Sequence, residues 1–111
     1  MPKGVLIVMS QSVPGKEEEY NDWYINEHIP ELLEVPGIAA AQRFEAVSAP
    51  NGQTPPQKYL AIYEFDADPE EAMKAMREAR SRPGVAPPSP ALDRSSSVMY
   101  VYRAFSDRKE A

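Results

Sequence analysis

The chain has 111 residues and a formal charge of -5, with a single His, a single Trp and no Cys. That length supports one domain with one core, and it leaves little room for a deep ligand chamber unless a partner subunit helps to close it. The acidic balance excludes a nucleic-acid binder, and the missing Cys excludes disulfides, thiolate catalysis and cysteine metal sites, as suits a reducing cytoplasm.

Val5-Leu6-Ile7-Val8-Met9 is an apolar run too short for a signal-peptide core or a membrane span, so a cytoplasmic protein without membrane contact is expected. Its continuity and β-branching predict a strand covered on both faces. Pro14-Gly15 ends that strand, and Glu17-Glu18-Glu19 then puts negative charge where a helix macrodipole favours it. A helix is predicted from Lys16 to His28. Pro30 lacks an N–H and its ring would clash with the Asn26 carbonyl, so the helix should break there and resume as a short turn through Glu34. A helix that merely kinks around Pro30 is the alternative.

At roughly 100° per residue, Trp23, Glu27, Tyr20, Tyr24 and His28 fall on one side of this helix, with Glu19, Asp22 and Asn26 opposite. The inward side is thus rich in groups that exchange protons. Beyond the Pro36-Gly37 turn, Ile38 to Val47 reads as a strand whose Gln42, Arg43 and Glu45 suit an edge or a pocket face. Residues 48–57 form a loop rich in Pro, Asn and Gly. Lys58 to Phe65 is the next strand, with Tyr59, Ala61, Tyr63 and Phe65 on one face and Leu60 and Ile62 on the other. Asp68-Pro69-Glu70-Glu71 combines an N-cap, a first-turn proline and a capping-box Glu, which predicts a helix from Pro69 to about Ser81 that buries Ala72, Met73, Met76 and Ala79. Arg82 to Ser96, with Pro87-Pro88-Ser89-Pro90, is a long irregular segment that either rims a site or crosses the surface without function. Ser97 to Phe105 is the last strand, and residues 107–111 are a polar tail beyond a single domain over residues 1–106.

The order β-α-β-β-α-β is that of an α+β, ferredoxin-like sandwich, a four-stranded antiparallel sheet with two helices on one face. Helices can cover only one face, while the later strands carry apolar residues on both. The bare face should therefore pack against a second copy, giving a homodimer.

The stretch from Pro14-Gly15 through Tyr20-Asn21-Asp22-Trp23-Tyr24 and Glu27-His28-Ile29-Pro30 to Val35-Pro36-Gly37 resembles the EthD-like members of the dimeric α+β barrel superfamily. The resemblance covers residues 14–37 and implies facing sheets in a dimer, a pocket between sheet and helices, and His28 in the place of the family's helix histidine. Relatives of that kind include cofactor-free isomerases, decarboxylases and dehydratases of aromatic or polyketide-like compounds. The wider superfamily also holds cofactor-free monooxygenases and haem-degrading or haem-binding proteins, so the reaction type stays open.

With an ordinary pKa of about 6.5, His28 can take and return a proton, as isomerisation or elimination of an activated carbonyl compound requires. It can equally be a structural ring bonded to a carbonyl that Pro30 frees. Tyr20, Trp23 and Tyr24 are core packing or a platform for a flat substrate, and Tyr59 and Tyr63 line a pocket or lie in the dimer interface. Arg43 or a Tyr hydroxyl would stabilise an oxyanion. Glu27 is read as structural, with Arg43 or Lys58 as its partner. One His, no Cys and no phosphate-binding glycine loop leave no metal and no cofactor to expect. The reading is a cofactor-independent lyase or isomerase acting on an aromatic or unsaturated carbonyl compound. His28 would be catalytic, and Tyr20, Trp23, Tyr24, Arg43, Tyr59 and Tyr63 would hold the substrate. The alternatives are a non-catalytic protein that binds an aromatic metabolite, and a monooxygenase or haem-binding relative.

Overall fold

The computed structural model describes residues 2–111. Its strands are β1 (Gly4–Ser10), β2 (Ile38–Glu45), β3 (Tyr59–Phe65) and β4 (Val98–Arg103); its helices are α1 (Glu17–Trp23), α2 (Ile29–Leu32) and α3 (Pro69–Arg80). The strands form one antiparallel sheet in the order β2-β3-β1-β4, a ferredoxin-like arrangement. The polar strand β2 is an edge, as its Gln42, Arg43 and Glu45 imply.

Register decides which side chains meet the helices. Leu6 pairs with Tyr63 and Val101, while the next residue, Ile7, pairs with Ile62 and Tyr100. Because successive side chains alternate, Leu6, Ser10, Tyr59, Ala61, Tyr63 and Phe65 share the helix-covered face, and all are buried. The opposite face shows Val5, Ile7, Met9, Leu60 and Ile62, half-buried, with Phe44, Tyr100 and Tyr102 exposed. Within one chain β1 is thus a central strand covered by helices on a single face, its other side belonging to the face expected to meet a second copy. Gly4 is fixed by proximity, since a Cβ there would overlap the Tyr102 carbonyl and lie 2.6 Å from Pro69 Cγ.

The expected break at Pro30 does not occur. Tyr24–His28 instead form a single wide π turn, in which the Ile29 N–H donates to the Tyr24 carbonyl, and the helix continues directly as α2. A π turn inserts one residue into the helix, and Pro30, which has no N–H to donate, stands second after it, behind Ile29. On α3, the Asp68 carboxylate accepts the Glu70 N–H at 3.0 Å, and Ala72 and Met76 are buried with Met73 and Ala79 partly so. No helix among the described residues is long and apolar enough to cross a membrane.

Candidate functional site

Phase along the first helix sets the site. In a regular α-helix residue i+4 comes back over residue i, which is why Glu27 was placed with Trp23. The π turn widens the step, so i+5 comes back instead. The His28 ring accordingly stacks on Trp23, with centroids 4.6 Å apart and planes 21° from parallel, and meets Tyr24 edge-on at 5.0 Å. Glu27 is turned out to solvent. The partners suggested for it are engaged elsewhere: Arg43 donates to Asn21 Oδ1 at 2.7 Å, and Lys58 pairs with Glu17 at 2.9 Å.

Trp23, Tyr24 and His28 form one wall of a cavity of about 450 Å³ between the helices and β1. Leu6, Val8, Leu32, Met73, Met76 and Leu92 make its apolar lining, Ser10 and Met99 contribute from the sheet, and Pro88 comes from the proline-rich segment. That segment therefore rims the cavity. The residues of a single chain outline the space, which stays open to solvent on the side of Arg77, Arg94 and Met99.

The His28 ring makes no hydrogen bond among the described residues, so it does not bond a carbonyl freed by Pro30. Burial first, and the Arg80 charge second, push its pKa down from 6.5 to about 4. The imidazole is neutral at neutral pH. Its folded pKa lies below the unfolded one, so between these values the unfolded chain binds more protons. Stability should be fully retained above about pH 6.5 and fall towards about pH 4, by up to about 3 kcal/mol from this group. Urea midpoints near neutral pH and at about pH 4.5 check this, because His28→Gln should lose less stability on acidification than the parent.

Tyr20, Arg43, Tyr59 and Tyr63 do not line the cavity. They form a second cluster behind Tyr24. The Arg43 guanidinium lies 4.3 Å from the Tyr24 ring centroid, 4.8 Å from that of Tyr59 and 5.1 Å from that of Tyr20. Two of its nitrogens, Nε and Nη2, are buried without a hydrogen-bond acceptor, and the three π-faces offset that desolvation in part. Tyr20 is fully buried and shares a 2.6 Å hydrogen bond with Ser10 Oγ, while the Tyr59 hydroxyl donates to Glu17 at 2.8 Å. Burial raises the Tyr24 and Tyr63 phenol pKa values, so both stay protonated. Tyr24 joins the clusters by touching Arg43 and His28, and Ser10 joins them by lining the cavity and bonding Tyr20.

Sequence reasoning missed Ser10 and the arginines Arg77, Arg80 and Arg94, all of which line the cavity. Only Arg77 and Arg80 carried a readable signal, as they stand one turn apart at the end of α3. No three His, Asp or Glu side chains gather into a metal-binding cluster among the described residues.

No protein-family model and no curated protein sequence matches the chain. Solved structures do. An ethyl tert-butyl ether d (EthD) family protein from Bacillus halodurans is 15% identical with a TM-score of 0.54, the match covering 88% of this chain and 95% of that one. The haem degrader MhuD from Mycobacterium tuberculosis, solved with two haems in its active site, is 17% identical with a TM-score of 0.62, covering 96% of this chain and 99% of that one. The chain has the ferredoxin-like fold of the dimeric α+β barrel proteins. The EthD protein among these structures has the fold that the resemblance of residues 14–37 implies.

Proposed function

We propose that this α+β barrel domain catalyses cofactor-independent proton transfer on an aromatic or unsaturated carbonyl compound, an isomerisation, dehydration or decarboxylation, with His28 as the acid/base. One observation carries the reading: the chain's only imidazole, kept neutral by burial, stands in the wall of an apolar cavity, stacked on Trp23. The neutral ring takes a proton from the carbon beside the carbonyl, and the C–H electron pair moves onto the carbonyl oxygen. The imidazolium and enolate so formed attract each other against the apolar lining more strongly than in bulk water, which offsets the low proton affinity of the free ring. The imidazolium then returns its proton to another carbon in an isomerisation, or to a departing hydroxyl in a dehydration.

Tyr24, protonated and in the cavity wall, would donate a hydrogen bond to the oxyanion. Trp23 and Tyr24 would contact the substrate. Tyr20, Arg43, Tyr59 and Tyr63 would act through Tyr24 by fixing its ring. The domain would work as a cytoplasmic homodimer joined through the bare sheet face. Incubation in deuterated water with a panel of aryl ketones and unsaturated lactones tests the chemistry. Deuterium should enter the position beside the carbonyl of at least one compound in a protein-dependent manner, and its absence across the panel would count against proton abstraction.

Haem binding is a second reading, favoured by the same neutral imidazole, which is the form that ligates iron. His28 would hold the iron and Leu6, Leu32, Met73 and Met76 would pack the macrocycle, which when bound supplies redox chemistry. Titration with hemin separates the two. Under the leading reading no intense visible band that depends on His28 develops.

A further inference from the structure

The chain carries an excess of acidic residues, yet every formally charged side chain lining the cavity is an arginine: Arg77, Arg80 and Arg94. The wide groove on the outer side of α1 is mainly acidic, with Glu18, Glu19, Asp22, Glu27 and Glu31 against Lys16 and Arg80. Trp23, His28, Arg80 and Pro88 line both spaces, between a mainly acidic groove and an apolar cavity edged by arginines. Arg80 is already answered by Glu31 at 2.8 Å. Arg77 and Arg94 have no ion-pair partner among the described residues.

The two free arginines also arrive from different elements. Arg77 belongs to the last turn of α3, where a helix macrodipole by itself favours a cation. Arg94 opens the short turn before β4, which offers no such local reason. Their convergence on one apolar space is a property of the cavity, and guanidinium forks suit planar acidic groups.

We propose that the cavity takes an apolar anion, a flat or aliphatic body bearing one acidic group such as a carboxylate, with that group held by Arg77 and Arg94. The proposal rests on the cavity being the binding site and adds the charge of what binds there. Arg77 and Arg94 are both exposed, so water serves them in the free protein; a cationic ligand would be repelled, and a neutral one would gain nothing from their charge.

Two fluorescent probes test it at low salt: anilinonaphthalene sulfonate, an apolar anion, and N-phenylnaphthylamine, its uncharged counterpart. The sulfonate should bind about tenfold more tightly, equivalent to about 1.4 kcal/mol, and added salt should erode the difference. The double variant Arg77→Gln, Arg94→Gln should bring the two affinities together while leaving that of the neutral probe unchanged. Equal affinity of the parent for both probes would overturn the charge preference and leave the cavity standing as a binding site. A double variant that keeps the sulfonate preference would overturn the assignment to these arginines. Failure of both probes to bind would remove the cavity reading and this proposal with it.

Discussion

Replacing His28 by Gln is expected to lower kcat by about a hundredfold or more while KM changes little, since general acid/base catalysis typically contributes about 10² to 10⁴. Gln keeps hydrogen-bonding capacity and approximate size but cannot carry the proton. The fold should tolerate the change. The His28 ring makes no hydrogen bond among the described residues, so the main loss is its stacking on Trp23, worth about 1 kcal/mol. A purely structural histidine predicts the reverse, a clear drop in melting temperature with turnover retained in the folded fraction. If His28→Gln turns substrate over at the parental rate, His28 is not the acid/base and the catalytic assignment to it fails.

The second large effect concerns assembly. Ile62 lies in a cross-sheet row with Gln42, Ile7 and Tyr100 on the face that no helix covers. If that face joins two copies, Ile62→Glu places a carboxylate in the interface twice, once from each subunit. An unpaired buried charge costs several kcal/mol, and about 4 kcal/mol raises a dimer dissociation constant by about a thousandfold. Light scattering at micromolar concentration should therefore report a dimer for the parent and a monomer for the variant. The monomer should stay folded, because Ile62 lies outside the core between sheet and helices. A parent already monomeric at that concentration would contradict the dimer.

Local chemistry made the fold legible. The Asp68-Pro69 start of α3, the apolar alternation of β3 and the polar content of β2 each announced their element within a residue or two, because caps and period-two patterns act over short range. His28, Trp23 and Tyr24 stood out for the same reason, being reactive or aromatic groups on one helix. What could not be read was phase. A single π turn exchanges Glu27 for His28 above Trp23, and no rule based on roughly 100° per residue anticipates an inserted residue.

Strand register was equally hidden. Whether Tyr59 and Tyr63 faced the helices or the bare side depended on pairings that the sequence does not specify, and the answer placed them with Arg43 rather than against the cavity. Arg94 came to the cavity wall through the path of the irregular segment after α3, which has no periodicity from which to infer a direction.

The central claim is that a neutral imidazole in the cavity becomes the cation when a ligand yields its proton there. Because the chain has one histidine, the imidazole resonances of isotopically labelled protein report on His28 alone. Nitrophenol serves as the ligand, as a stable mimic of an enol that ionises to an oxyanion. The free protein should titrate at about pH 4, and the complex with nitrophenol at neutral pH should show His28 protonated beside bound nitrophenolate. A free imidazole that titrates near its ordinary value, and does not respond when nitrophenol binds, would contradict the account.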